Sequence, residues 1–168
     1  MALNLRWVQF LFLLGLYFVT ACSTMEDGEE VVDVPESPTI EFSFPLKDYR
    51  QITRGYKGRH RGVDISASKG TKIYAAESGW ITYQGTKFHG YGKLVIIEHS
   101  KTWASFYAHL NGFHTKEKTW VNKGDLIGFV GHTGRSRGDH LHFEVRYKNR
   151  PLDPLGYFNK NKLKFAIR

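Results

Sequence analysis

Between residues 39 and 168, the hydrophobic residues occur in short segments of four to eight residues. They do not recur with the 3.6-residue period of an amphipathic helix. The segments are rich in β-branched and aromatic residues, and glycine-containing turns such as Gly90-Tyr91-Gly92 and Asn111-Gly112 separate them. This pattern predicts an all-β fold, a single antiparallel β-sheet domain. The predicted strands are Ile40–Phe44, Lys72–Ala75, Trp80–Tyr83, Lys93–Glu98, Ala104–His109, Leu126–Val130 and His140–Tyr147.

The last predicted strand contains two histidines separated by one leucine. Side chains alternate between the two faces of a strand. The apolar residues share the face that is expected to meet the core: Leu141, Phe143 and Val145. The other face presents His140, His142 and Glu144 together, which is suited to binding a metal or a substrate, although a solvated polar face would look the same.

The N-terminal 22 residues do not fit the β pattern. A nearly continuous apolar run extends from Trp7 to Ala21 and ends at Cys22, the only cysteine of the chain. The run is shorter than the roughly 20 residues of a membrane-spanning helix and is typical of a secretory signal. Because Val19-Thr20-Ala21-Cys22 resembles a bacterial lipobox, we predict a lipoprotein signal peptide over residues 1–21 and lipidation of Cys22, the alternative being an ordinary signal peptide. A single cysteine excludes a disulfide within the chain and a cysteine-based zinc site.

Residues 22–38 are predicted to be an acidic linker. The stretch contains six acidic residues, two prolines and no lysine or arginine, so it has too little apolar content to pack. The remaining domain, residues 39–168, has 23 basic and 10 acidic residues and a net charge of +13. Such a charge suits a polyanionic partner. For an exported chain we expect a cell-wall polymer and no nucleic acid.

Two further segments carry candidate functional residues. GRHRGVDIS, residues 58–66, places His60 four residues before Asp64 in a glycine-rich turn that is expected to enter a strand. Imidazole and carboxylate are both good zinc ligands, although a local hydrogen bond between the two explains the spacing equally well. SFYAHLNG, residues 105–112, ends a predicted strand at His109.

Taken together, these segments resemble the lysostaphin-type (LytM-domain) zinc metallopeptidases. The resemblance extends from about Phe44 to Phe158. It rests on FPLKDYR, GRHRGVDISASKGTKIYAAESGWI, YGKLVIIEHS, YAHL, VNKGDLIGFVGHTG and HLHFEVR, in that order. The sequence departs from the usual family pattern at Asp139, where many members have a proline or another small residue, and in the segment before His60, which is longer in many members.

The resemblance implies a role for each of five residues. It makes His60, Asp64 and His142 the ligands of one zinc ion per chain, with water in the fourth position, and it makes His109 and His140 catalytic residues that do not bind the metal. Zinc with three protein ligands lowers the pKa of its bound water to about 7. Spacing alone would allow His140 as a fourth ligand; only the resemblance assigns it to catalysis.

The remaining candidates receive structural explanations. Surface or turn positions are expected for His89, His99, His114 and His132, with His89 a candidate for the wall of a substrate groove. Glu144 is expected either to support a metal ligand or to be solvated. The GRSRG stretch around Ser136 matches the G-x-S-x-G pattern of serine hydrolases, but that motif requires a following helix, whereas here a strand follows.

The resemblance therefore implies a zinc metalloendopeptidase that hydrolyses peptide cross-links in peptidoglycan, and the expected bond is the one between D-alanine and diaminopimelate. The chain is expected to be anchored through Cys22 in the outer membrane, facing the periplasm of a Gram-negative bacterium, with unknown divisome or wall-synthesis regulators. The alternatives are a non-hydrolytic wall-binding module or amidase activator of the same fold, and a structural anchor between membrane and wall. The acidic linker is a candidate autoinhibitory segment.

Overall fold

The computed structural model describes residues 40–158, which form eleven strands and one short 3₁₀ helix. The strands are β1 Gln51–Arg54, β2 Val63–Ser66, β3 Lys72–Tyr74, β4 Gly79–Gly85, β5 Leu94–Glu98, β6 Trp103–Ala108, β7 Gly112–Phe113, β8 Trp120–Val121, β9 Leu126–Phe129, β10 His140–Tyr147 and β11 Arg150–Leu152. The 3₁₀ helix is Pro154–Gly156. The prediction of an all-β domain is confirmed, and every strand pair is antiparallel.

Eight of these strands form one large sheet with β10 near its centre. The strand order is β1-β2-β10-β6-β5-β4-β8, and β11 pairs with the end of β10. Residues His140–Phe143 of β10 pair with β2, and His142–Tyr147 pair with β6. This register brings β2 and the end of β6 to the two sides of the histidine pair.

A second, three-stranded sheet has the order β3-β9-β7. The main hydrophobic cluster contains residues of both sheets, including Ile73 and Ile127 from the small sheet and Leu141, Phe143 and Val145 from β10. The apolar residues of β10 thus face the core, as the alternation predicted. A smaller cluster of Leu94, Ile96, Phe106 and Ala108 lies on the opposite face of the large sheet, because Val95 and Ile97 belong to the main cluster.

The predicted strand Ile40–Phe44 is wrong. This segment makes only an isolated bridge, between Phe42 and Phe158, and Phe42 is fully buried against the rings of His99 and Trp103. Its apolar residues contribute to the core without a partner strand. In contrast, β1 was not predicted, because Gln51–Arg54 is polar and largely exposed and becomes a strand only by pairing with β2.

The predicted signal peptide, Cys22 and the acidic linker lie outside the described residues, as do residue 39 and residues 159–168 of the predicted domain. In residues 40–158, no helix has the length and apolar character needed to cross a membrane.

Candidate metal centre

The strand register brings Asp64 and His142 side by side. The two residues are direct partners in the pairing of β2 with β10, and paired residues point to the same face of a sheet. His60 precedes β2 in a tight turn closed by the bridge between Lys57 and His60, in which Gly58 takes a φ of 58°. A left-handed φ of this kind suits glycine. The turn directs His60 back toward Asp64.

Three side-chain atoms converge at this point. His60 Nε2 lies 3.0 Å from Asp64 Oδ1, His142 Nδ1 lies 2.7 Å from the same oxygen, and the two nitrogens are 3.2 Å apart. Ligand atoms of a tetrahedral zinc site are roughly 3.3 Å from one another, given metal–ligand distances of about 2.0–2.1 Å. The two imidazoles are buried and the carboxylate is half-buried. This cluster is the one group of three metal-ligating side chains in residues 40–158 with such close atoms.

The hydrogen bonds on the far side of each ring fix the orientation of the histidines. His60 Nδ1 lies 2.8 Å from Gly55 O, and His142 Nε2 lies 3.0 Å from Glu144 Oε1. A carbonyl or carboxylate oxygen can only accept, so these two nitrogens carry the protons of the neutral rings. The nitrogens that face Asp64 then carry lone pairs. Three electron-rich atoms point at one another, and a cation between them would satisfy all three.

The electrostatics of the cluster favour positive charge. Burial opposes ionisation of Asp64, but the hydrogen bond from His142 and the charges of the neighbouring histidines outweigh it and lower the pKa of Asp64 to about 2. Burial likewise opposes protonation of His142, but hydrogen bonds to Asp64 and Glu144 raise the pKa of His142 to about 8. The cluster therefore favours binding of a proton or of a metal cation. Two imidazole nitrogens and one carboxylate oxygen are a donor set that fits zinc.

His109 and His140 form a second pair beside this cluster. Their ring centroids are 4.8 Å apart, and the ring of His109 lies 5.8 Å from that of His142. His109 Nδ1 donates to Thr133 O over 2.7 Å, and His140 Nδ1 donates to Gly138 O over 2.8 Å. In both rings Nδ1 is therefore bound to the backbone, and Nε2 is the nitrogen that remains available to a ligand in the cavity. His140 Nε2 is 3.6 Å from Asp64 Oδ1, farther than the corresponding atoms of His60 and His142.

His109 is held in an uncommon backbone conformation at the end of β6. Its φ is 63°, and its N–H donates to Tyr91 O over 2.9 Å. Non-glycine residues with such a φ are strained and tend to occur at functional sites. Burial lowers the pKa of His109 to about 4, although its hydrogen bond to Thr133 acts in the opposite direction. The ring is therefore neutral near pH 7.

Glu144 is fully buried behind His142 and has four polar contacts. Besides His142, its Oε1 accepts from Tyr91 Oη over 2.7 Å, and its Oε2 accepts from Arg146 Nε over 2.8 Å and Arg146 Nη2 over 2.6 Å. Arg146 Nη2 also donates to Tyr91 Oη, and the guanidinium lies over the ring of Phe106. Glu144 thus supports a candidate metal ligand rather than facing solvent. Tyr91 and Arg146 were not predicted. Tyr91 is 53 residues away from Glu144, so no local pattern links the two. Arg146 follows Glu144 by two residues on the same face of β10, and strand alternation is the signal that could have revealed it.

A cavity of about 930 Å³ opens over the five residues that the sequence singled out. His89 lines it, as anticipated, and so does Ser136. Ser136 Oγ donates to Gly138 O over 2.7 Å, and β10 rather than a helix follows it, so the serine-hydrolase motif is absent. His132 and His114 are exposed.

The expectation for His99 was incomplete. It lies in the turn between β5 and β6, but its ring is half-buried: Nδ1 donates to Ser78 O, and Nε2 lies 2.8 Å from Ser105 Oγ. Ser105 is itself within 2.9 Å of the buried Tyr107 hydroxyl. His99 therefore belongs to a polar network at the rim of the core.

Residues 58–154, more than half of the chain, match the model of Peptidase family M23. The DD-carboxypeptidase/endopeptidase Mpg of Neisseria meningitidis serogroup B is 45% identical over 96 residues, which cover 57% of this chain and 22% of that protein. The murein hydrolase activator NlpD of Salmonella dublin is 36% identical over 131 residues, which cover 73% of this chain and 34% of that protein. The match thus spans about a fifth to a third of these relatives.

A solved structure shares the fold. The crystal structure of a zinc containing peptidase from Vibrio cholerae superimposes with a TM-score of 0.63 and 33% sequence identity, over 68% of this chain and 39% of that chain.

Proposed function

The chain belongs to peptidase family M23, and we propose that it is a zinc-dependent endopeptidase that hydrolyses peptide cross-links of bacterial peptidoglycan. The observation that carries the proposal is the convergence of His60 Nε2, Asp64 Oδ1 and His142 Nδ1, with a separate pair of histidines beside them. A catalytic zinc site needs three protein ligands and an open position, and the cavity above the cluster provides access.

His60, Asp64 and His142 would hold the zinc ion. A zinc ion bound there supplies activation of water at neutral pH and polarisation of the scissile carbonyl. The side chains around it then have distinct tasks. Gly55 O and Glu144 keep the two ligand rings in the orientation that binding requires.

His109 and His140 would move the protons that amide hydrolysis requires. Each ring is anchored through Nδ1 to a backbone carbonyl and can accept or donate a proton at Nε2. A hydrolysed amide needs one proton removed from the attacking water and one delivered to the leaving amine. Two histidines in contact with one cavity can provide both functions.

We assign the cross-link as D-alanyl–diaminopimelate. The supporting features are the predicted lipobox at Cys22 and the similarity to a neisserial DD-carboxypeptidase/endopeptidase. In this proposal the lipid at Cys22 anchors the protein in the outer membrane, and the domain, whose net charge over residues 39–168 is +13, reaches the wall from the periplasmic side.

A non-hydrolytic activator of other murein hydrolases is the second candidate, because the chain is 36% identical to a murein hydrolase activator over 131 residues. Purified sacculi incubated with the zinc-loaded full chain distinguish the two. Release of uncross-linked muropeptides that stops on addition of a chelator supports the peptidase. Binding to sacculi without any new muropeptide, combined with stimulation of an added amidase, supports the activator.

A further inference from the structure

Four arginines line the cavity above the candidate metal centre. They come in two pairs from separate segments: Arg54 and Arg59 from the end of β1 and the turn before His60, and Arg135 and Arg137 from the loop that leads into β10. All four are exposed. Their guanidinium groups have no hydrogen-bond or ion-pair partner among residues 40–158.

The cavity offers little negative charge to balance them. The carboxylates that line it are those of Asp64 and Asp139. The carboxylate of Asp64 contacts the rings of His60 and His142. Asp139 Oδ1 lies 3.9 Å from His132 Nδ1. With neutral histidines, the lining residues carry four positive charges and two negative ones. A bound divalent metal would add to the positive excess.

The backbone fixes both pairs close to the metal centre. Arg54 is the direct cross-strand partner of Asp64, which in turn is the partner of His142, so the three residues form one row on the same face of the sheet. Arg135 N–H donates to Gly90 O over 2.8 Å, which ties the second segment to the turn that carries Tyr91. Both segments therefore border the cavity that contains His60, Asp64 and His142.

From this arrangement we infer that the arginines bind free carboxylates of the substrate, so that cross-linked peptides with free carboxylates are cleaved in preference to those in which the same carboxylates are amidated. The inference rests on the proposed peptidase function and specifies its substrate class. The planar guanidinium forms paired, charge-assisted hydrogen bonds with a carboxylate. A cavity lined by one sign of charge also concentrates ligands of the opposite sign.

Two cross-linked muropeptide dimers test the inference: one with its stem-peptide carboxylates free and one with the same groups amidated. The full chain, purified in detergent with one equivalent of zinc, is assayed for kcat/KM on each. We expect the amidated dimer to be cleaved at least about tenfold more slowly, because a hydrogen-bonded charge pair is lost at each amidated group. Arg54→Gln should lower kcat/KM about tenfold for the dimer with free carboxylates. It should leave kcat/KM for the amidated dimer unchanged.

Arg50→Gln is the matched control. Arg50 precedes β1, is exposed, hydrogen-bonds to Ser68 and does not line the cavity, so both dimers should be cleaved as by the wild type. Equal cleavage of the two dimers by the wild type would overturn the inference while leaving the peptidase function intact. An equal loss on both dimers in Arg54→Gln, or no loss on either, would overturn it as well.

Binding measurements separate this inference from the proposed function. Fluorescence anisotropy of labelled dimers gives the affinity of the zinc-loaded chain whether or not cleavage occurs. Suppose that neither dimer is cleaved, that the dimer with free carboxylates binds about tenfold more tightly, and that Arg54→Gln abolishes this difference. The proposed peptidase function is then wrong, whereas the inferred binding of carboxylates by the arginines is supported. If neither dimer is cleaved and both bind equally, both fail.

Discussion

Glu144 Oε1 accepts a 3.0 Å hydrogen bond from His142 Nε2 on the side of the imidazole ring that faces away from Asp64. In the neutral ring this bond places the proton of His142 on Nε2 and leaves Nδ1 with a lone pair for the cluster. Glu144 is in turn held by Tyr91 and Arg146. Strand β10 and a distant turn thus determine the orientation of one candidate ligand.

Glu144→Gln should weaken zinc binding about tenfold or more, because carboxylates that support a metal-binding histidine typically contribute 10- to 100-fold in affinity. Competition with a chromogenic chelator measures the affinity directly. Glu98→Gln is the control: Glu98 is an exposed glutamate on β5 and should leave zinc affinity unchanged. Equal affinity in Glu144→Gln and wild type would show that Glu144 has no part in the site.

His60→Ala and His140→Ala should differ in metal content. Removal of His60 deletes one of three ligands, so zinc should be lost. Removal of His140 should leave zinc in place and abolish turnover, because its Nε2 is farther from Asp64 and it is proposed to transfer protons. Elemental analysis after gel filtration gives the zinc content. Equal loss of zinc in both variants would make His140 a ligand.

Gly92→Ala should destabilise the loop that anchors His109. Gly92 has a φ of 63°, and a Cβ there would lie 2.4 Å from Thr133 C and 2.5 Å from Thr133 O, the atom to which His109 Nδ1 donates. We expect the free energy of unfolding to fall by about 1–3 kcal/mol in urea titrations and turnover to fall as well. Gly156→Ala, which meets nothing within 4 Å, should change stability by less than about 0.5 kcal/mol. Unchanged stability in Gly92→Ala would contradict this packing.

The half-buried ring of His99 should make stability depend on pH. Burial lowers the pKa of His99 below 6.5, although its hydrogen bond to Ser78 acts against this, so the unfolded chain binds a proton more readily than the folded chain. The stabilisation is complete above pH 6.5 and is lost as the pH falls below it.

Urea unfolding at pH 7.5 and pH 5.5 measures this effect. The loss of stability between the two values should be smaller in His99→Gln than in the wild type. His114→Gln, which replaces an exposed histidine, should retain the wild-type difference. If the free energy of unfolding changes equally with pH in His99→Gln and in the wild type, His99 does not contribute to the pH dependence of stability.

The sequence predicted those parts of the fold in which local pattern and tertiary structure agree. Strand β10 alternates apolar and polar residues, and both faces are used as its period requires. The strand predicted at Ile40–Phe44 is absent because a phenylalanine such as Phe42 can be buried without strand pairing. Strand β1 was missed because its hydrogen bonds come from β2 and its side chains are mostly solvated.

The candidate site was predictable only to the extent that its residues occur in motifs. His60, Asp64, His109, His140 and His142 each lie in a short recognisable segment, and the structure brings them together. The contacts of Tyr91 with Glu144 and of Thr133 with His109 are long-range and are set by the strand order and the loop packing. Arg146, in contrast, lies two residues from Glu144 on β10. The network around His99 likewise depends on Ser105 and Tyr107, which no pattern within the turn reveals.

The central claim is that metal bound by His60, Asp64 and His142 makes this chain a peptidase, and a zinc titration of turnover tests it most directly. The metal-free full chain is titrated with zinc while hydrolysis of a cross-linked muropeptide dimer and bound zinc are measured in the same samples. We predict that hydrolysis rises with zinc occupancy and reaches its maximum at one zinc per chain, and that His142→Ala shows neither binding nor hydrolysis. Full occupancy by one zinc ion with no hydrolysis of the dimer would contradict the claim and identify the chain as a non-hydrolytic member of its family.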